Sequence, residues 1–151
     1  MQRPRERIVV GVDGSDFSLV AARWALREAH RTVRTLVLVC AWEGIAHSPG
    51  YPPFETVFVR RAREAAQAAL SEVLRRLELL PEAAGVTIET RLLEGPAGPA
   101  LVAEAADAEL LVVGCHGRGA ISRAVLGSVS TYCIHHARCS TVVVPRIPTD
   151  A

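Results

Sequence analysis

The sequence contains no lysine; all 17 of its basic residues are arginine. That absence removes a Schiff-base, a P-loop or a general-base lysine from any mechanism this chain performs. Aromatic residues make up only 5%, so Ala, Val and Leu must build most of the core. No excess of charge exists either. A formal net charge of +1 argues against nucleic-acid binding driven by phosphate neutralisation. No apolar run approaches the roughly 18 residues of a membrane span, and the basic start MQRPRERIVVGVDG reaches only Ile8–Val12 before Asp13, so neither a signal peptide nor a span is expected. The cysteines Cys40, Cys115, Cys133 and Cys139 have no CxxC spacing, and reduced, mostly buried thiols in a cytoplasmic protein are expected. Three motifs are missing as well. GxxxxGK[ST] is absent, the first strand turns through Gly11-Val12-Asp13-Gly14 without GxGxxG, and no GxSxG nucleophile elbow occurs.

What is present is an alternation. Ile8–Val12 is a β-branched run closed by Asp13-Gly14-Ser15-Asp16, a turn-and-cap signal in which either Ser15 or Asp16 caps the helix that follows. Leu19, Ala22, Ala25, Leu26 and Ala29 then recur at helical spacing. Thr35–Ala41 is continuously apolar, as expected for a parallel strand covered on both faces. Residues 42–57, rich in Pro and Gly, read as a surface loop, in which Trp42, Tyr51 and Phe54 either pack the loop itself or close a flap over a bound ligand. Periodicity predicts a long helix from about Val59 to Leu80, with its arginines as a solvated face, ended by Pro81 and Gly85. A less buried strand follows at Val86–Leu93, then a GPAGP break, a helix at Ala100–Ala106, a strand at Glu109–Gly114, a helix at Ser128–Ala137 and a last strand at Thr141–Val144. The expectation is one domain over residues 1–151, its core about 6–146, long enough to bury about two-thirds of its unfolded surface. Strand–helix alternation predicts a mostly parallel sheet with helices on both faces and ligands beyond the carboxyl ends of its strands.

One of those ends carries the chemistry. Gly114-Cys115-His116-Gly117 leaves the fourth strand and Gly127-Ser128-Val129-Ser130 opens a helix. Glycines let backbone amides approach a bulky anion, Ser128 suits an N-cap, and a helix start carries partial positive charge. A phosphate there needs no lysine; the hydroxyls of Ser128 and Ser130, with Arg118 and Arg123, stand near enough in sequence to assist. His116 reads as a ligand-side loop residue or as an ordinary backbone-bonded histidine. Cys133, His135, His136 and Cys139 match no zinc spacing, and a helix spreads them over several faces.

Gly114-x2-Gly117-x9-Gly127-Ser128, together with IVVGVDGSDFS, LVLVCAW, AELLVVGCHGRG and LGSVSTYCIHHARCSTVVVP, resembles the G-2x-G-9x-G-(S/T) pattern and flanking segments of the universal stress protein family. The resemblance spans nearly the whole chain. It implies an open five-stranded parallel sheet of order 3-2-1-4-5, sandwiched by helices, and ATP at the carboxyl ends of the first and fourth strands. It implies that Asp13 contacts the adenosine portion, that the backbone of Gly11 and Val12 lines that pocket, and that Ala41 meets the adenine edge through main-chain groups. Gly114, Gly117, Gly127, Ser128, Val129 and Ser130 match positions around ribose and phosphates. Cys40 departs from the His that many members carry, a change behind the adenine edge. A divalent ion, Mg2+ or Mn2+, is expected on the phosphates rather than in a protein cage. The implied role is a nucleotide-dependent stress-response or signalling module in the cytoplasm; a slow ATPase or a phosphoryl- or adenylyl-transfer enzyme is the alternative. The family's habit of dimerising implies a homodimer through Thr141, Val142, Val143 and Val144, and an apolar edge strand independently calls for a partner.

Overall fold

The β-branched and leucine-rich runs form five parallel strands: β1 (Arg7–Gly11), β2 (Thr35–Trp42), β3 (Ile88–Glu94), β4 (Leu110–Gly114) and β5 (Ser140–Val144). The structure is a computed structural model that describes residues 6–44, 55–117 and 126–146, with backbone alone at 55 and 56. The strands lie in the order β3-β2-β1-β4-β5, the topology expected. β1 pairs with β2 from Arg7↔Thr35 and with β4 from Ile8↔Leu110. Strand order therefore reverses at β1/β4, the place beyond whose carboxyl ends doubly wound sheets generally bind their ligands.

Four helices cover the sheet: α1 (Asp16–Thr32), α2 (Glu55–Glu78), α3 (Ala97–Glu104) and α4 (Ser128–His136). Alternate residues of the central strands face opposite layers. Leu36, Leu38 and Cys40 of β2 join α1 and α2 in one cluster with Ala22, Leu26, Leu70 and Leu77. Val37 and Val39 join Leu101 and Cys133 of α3 and α4 in the other. Both faces of β1, β2 and β4 are thus covered, and each buried Val or Leu contributes about 1.5–3 kcal/mol. β3 has no fully buried residue, because it is an edge strand. Among the described residues no helix is long and apolar enough to cross a membrane.

Several boundaries differ from expectation for local reasons. α2 starts at Glu55, so the 42–57 loop is shorter than composition suggests; residues 45–54, including Tyr51 and Phe54, lie outside the described residues. α3 starts inside GPAGP, with Pro96 as N-cap and Pro99 in its first turn, where a missing N–H costs nothing. α2 stops at Glu78, and Pro81–Ala83 adds one 3-10 turn. The Ala84 N–H closes that turn on Pro81 O, and Val86 donates to Ala83 O in the turn that follows, so β3 begins two residues later than the apolar pattern. The largest correction concerns α4: Gly127, not Ser128, is its N-cap, and Ser128 is its first helical residue.

Candidate functional site

Two chain segments meet beyond the switch point. The first leaves β1. The N–H of Val12 donates to Val39 O at 2.8 Å, so the sheet holds the backbone as far as the base of the cleft. Gly14 then turns with φ 80, a left-handed conformation that favours glycine. Asp13 Oδ1 accepts from Ser15 N at 2.9 Å, Asp13 N donates to Ser18 Oγ at 3.2 Å, and Ser15 Oγ accepts from Ser18 N at 3.2 Å. Ser15, rather than Asp16, is the N-cap of α1. This closed network holds the Asp13 carboxyl group at the mouth of the cleft.

The second segment leaves β4. A Cβ on Gly114 would stand 2.9 Å from Phe17 O, on Gly117 2.7 Å from Asp13 Oδ2, and on Gly127 3.3 Å from His116 Cα. The three glycines of the spaced motif are therefore three close approaches: the β4 end to the first turn of α1, the loop to the β1 carboxylate, and the start of α4 to the loop. The Gly127 N–H donates to Cys115 O at 2.8 Å, and Ser130 Oγ stands 3.2 Å from that carbonyl and 3.0 Å from Gly127 O. Ser130 is 2% exposed, so α4 offers that residue's amide rather than its hydroxyl, contrary to the two-hydroxyl expectation.

The first α-type bond of α4 runs from Thr131 N–H to Gly127 O at 3.0 Å. The amides of Ser128, Val129 and Ser130 precede it and have no partner within the helix. Among the described residues no side chain caps α4, and its first turn carries no acid. Ser128 is exposed. This helix start suits an anion by its dipole and its donors.

The remaining expected residues fall as follows. Gly11 ends β1 beneath α3, where a Cβ would meet Leu101 Cδ1 at 2.7 Å. Ala41 is half-buried near the end of β2, opposite Leu93, one strand away from the glycine cluster. His116 turns its ring edge-on to Phe17, centroids 5.4 Å apart. Arg118 and Arg123 lie outside the described residues. Two side chains at this rim had no sequence signal: Phe17, whose carbonyl backs Gly114, and Arg146, whose guanidinium lies 5.9 Å from the Phe17 centroid. Both follow from the β1/β4/β5 adjacency, which local periodicity does not encode.

The cysteines are free; Cys40 and Cys133 are buried, while Cys115 and Cys139 are partly buried. Burial, with the nearby Cys139 adding to it, pushes the Cys133 thiol up to about 11. Among the described residues no three His, Cys, Asp or Glu side chains cluster as a metal site.

A parallel sheet of order β3-β2-β1-β4-β5 with helices on both faces, and with Gly117 linking the start of α4 to the Asp13 carboxylate beyond β1 and β4, defines the class as a doubly wound α/β protein. The family model described as the universal stress protein family matches residues 4–145, and the chain belongs to that family. A universal stress protein of Mycobacterium tuberculosis is 35% identical over 139 residues, 91% of this chain and 47% of the relative. One of Mycolicibacterium smegmatis is 34% identical over 140 residues, with the same 91% and 47%. The chain spans about half the length of the curated relatives it matches. Among solved structures, universal stress protein UspA from Lactobacillus plantarum superposes with a TM-score of 0.80 at 22% identity, covering 95% of this chain and 99% of that one. A universal stress protein crystallised in complex with cAMP superposes with a TM-score of 0.67 at 28% identity, covering 94% and 98%.

Proposed function

We propose that this chain binds an adenine nucleotide, ATP, in the cleft between the carboxyl ends of β1 and β4, and serves as a nucleotide-dependent stress-response module in the cytoplasm. The observation that carries the reading is the start of α4. Three helix-start amides without an acid among them stand beside Gly117, which lies against the Asp13 carboxylate. A phosphate on the α4 amides leaves the sugar and base on the β1–β2 side, with Asp13 at the ribose, the backbone of Gly11 and Val12 beneath it, and Ala41 at the adenine edge. Gly114, His116 and Gly117 form the loop over the phosphates, and Gly127, Ser128, Val129 and Ser130 form their cradle; Arg118, outside the described residues, is assigned to the phosphates from its place in the sequence alone. The relative solved with cAMP supports the ligand class. Mg2+, or Mn2+, rides on the phosphate oxygens, since it usually keeps several waters. With no lysine in the chain, the proposal is binding rather than turnover.

β5 is an edge strand of three half-buried residues, Thr141, Val142 and Val143, followed by the buried Val144. Its outer N–H and C=O groups suit pairing with a second copy, and a homodimer through β5 is part of the proposal. Light scattering at micromolar concentration is expected to give the dimer mass. The nucleotide reading is tested by identifying any nucleotide that co-purifies and by ATP calorimetry. Retained binding requires the α4 start; if neither experiment detects an adenine nucleotide, the reading falls.

A further inference from the structure

The arginines of this chain divide by how well their charge is answered. Arg7, at the amino end of the sheet, reaches Glu104 Oε1 at 3.0 Å, Glu104 O at 2.7 Å and Asp107 Oδ1 at 2.5 Å, and it ties α3 to β1. Arg31 and Arg75 hold carboxylates on their own helices at 2.6 and 2.9 Å. Arg146 is different. Among the described residues its carboxylate contact is Asp16 Oδ2 at 3.9 Å, between side chains that are 53% and 76% exposed, a loose pair that water screens.

Its position is nevertheless held. The Cys115 N–H donates to Val144 O at 3.0 Å, which fixes the end of β5 against the first residue of the His116 loop. Pro145 cannot continue the ladder, and Arg146 follows it at the carboxyl end of the sheet. There its guanidinium lies over the Phe17 ring, 5.9 Å from the centroid, and the same ring meets that of His116 at a steep angle. Arg146 and His116 thus share one aromatic plate at the rim of the cleft. Gly127, by contrast, abuts the backbone of His116, so Arg146 and the α4 start flank the same loop.

The geometry points to Arg146 as a charge selector for the polyphosphate of the nucleotide, resting on the binding reading above. The α4 amides hold the phosphate nearest the ribose. A ligand with further phosphates extends past His116, and the planar guanidinium fork takes two of its oxygens together. Asp16 is the resting partner that Arg146 leaves when such a ligand arrives, and by its own charge it opposes nucleotides bound without that exchange. The selected ligand is therefore a nucleoside triphosphate or diphosphate over a monophosphate. A guanidinium merely stacked on Phe17 would make no such distinction.

Calorimetry with ATP and with AMP on the native chain, Arg146→Gln, Asp16→Asn and Arg138→Gln separates the two. Arg138 precedes β5, at the other end of the sheet, and serves as the control. Arg146→Gln is expected to lower the ratio of ATP to AMP affinity about tenfold, the loss of one charge-assisted pair. Asp16→Asn is expected to raise that ratio two- to threefold, on the order of one screened charge, and Arg138→Gln to leave it unchanged. Arg146→Lys keeps the charge without the fork and should fall between native and Gln, which covers the case in which the Gln variant folds poorly. An unchanged ratio in Arg146→Gln, with ATP still bound, overturns the role of Arg146 and leaves the nucleotide reading standing. Failure of the native chain to bind either nucleotide overturns both.

Discussion

Helices α1 and α4 begin at the same end of the sheet, one after β1 and the other after β4, yet their first turns are opposites. At α1 the cap is complete: Ser15 Oγ takes the Ser18 N–H, Asp13 Oδ1 takes the Ser15 N–H, and Asp16 places a negative charge in the first turn. At α4 the cap is a glycine, the first turn has no acid, and the Ser130 hydroxyl points back to the carbonyls of Cys115 and Gly127. The helix dipole is a property of every helix. Whether it is answered by the chain or left for a ligand depends on two or three side chains. α1 answers its own, and among the described residues nothing answers that of α4. The difference shows why a helix start alone is weak evidence for a site, whereas an unanswered one beside a carboxylate-lined turn is strong.

The comparison can be broken outright by giving α4 the residue type that α1 carries. Gly127→Asp supplies a cap and a negative charge where the phosphate is proposed; the φ of −66 there suits any residue. ATP affinity is expected to fall more than about a hundredfold, by lost donors and like charge, while the added Cβ, 3.3 Å from His116 Cα, costs about 1–2 kcal/mol of stability that the new cap partly offsets. Calorimetry beside thermal unfolding measures both, and retained ATP binding would sink the site. Gly114→Ala attacks the joint between the two helix starts. Its Cβ would meet the Phe17 carbonyl at 2.9 Å, backbone that cannot step aside, and the expected cost is about 2 kcal/mol in urea unfolding.

A paired test sharpens the contrast. Ser15→Ala removes a true cap and should cost about 1 kcal/mol, whereas Ser128→Ala, at an exposed first helical position, should cost less than about 0.5. Equal losses would show that Ser128 caps α4 after all. The smallest effect lies at the other side of α4, where Cys133 is fully buried. With its thiol pushed up to about 11, about one molecule in a thousand carries the thiolate at pH 8. Alkylation of the native protein at that pH should therefore reach Cys133 well after the partly buried Cys115. Because folding holds this thiol neutral, its contribution to stability is present below the ordinary thiol range and fades as pH climbs toward about 11. Cys133→Val should flatten that alkaline decline.

Much of this was legible without coordinates. Alternation of β-branched runs with three- and four-residue periodicities marked all five strands and four helices. The spaced glycines and Asp13 marked the segments that converge. The misplacements share one cause. Pro99 sits in a first turn, where it breaks nothing, and Val86 and Ser128 sit one or two residues from their expected roles, because a boundary is set by hydrogen-bond partners rather than by residue type. Ser130 illustrates the limit most sharply. As a residue it suggests a phosphate ligand, but as a placed side chain it is 2% exposed and bonded within its own loop.

The sequence by itself determined the layers, the strand count and the charge logic of the site, because apolar periodicity and the absence of lysine are local facts. The tertiary structure alone decided which ends became neighbours. Only the pairing of β1 with β4 sets Asp13 against Gly117, and only the pairing of β4 with β5 brings Arg146 to the Phe17 plate beside His116. Those contacts join residues about a hundred positions apart, and strand pairing between such segments is specified by the packing of the whole core, not by any stretch that contains them.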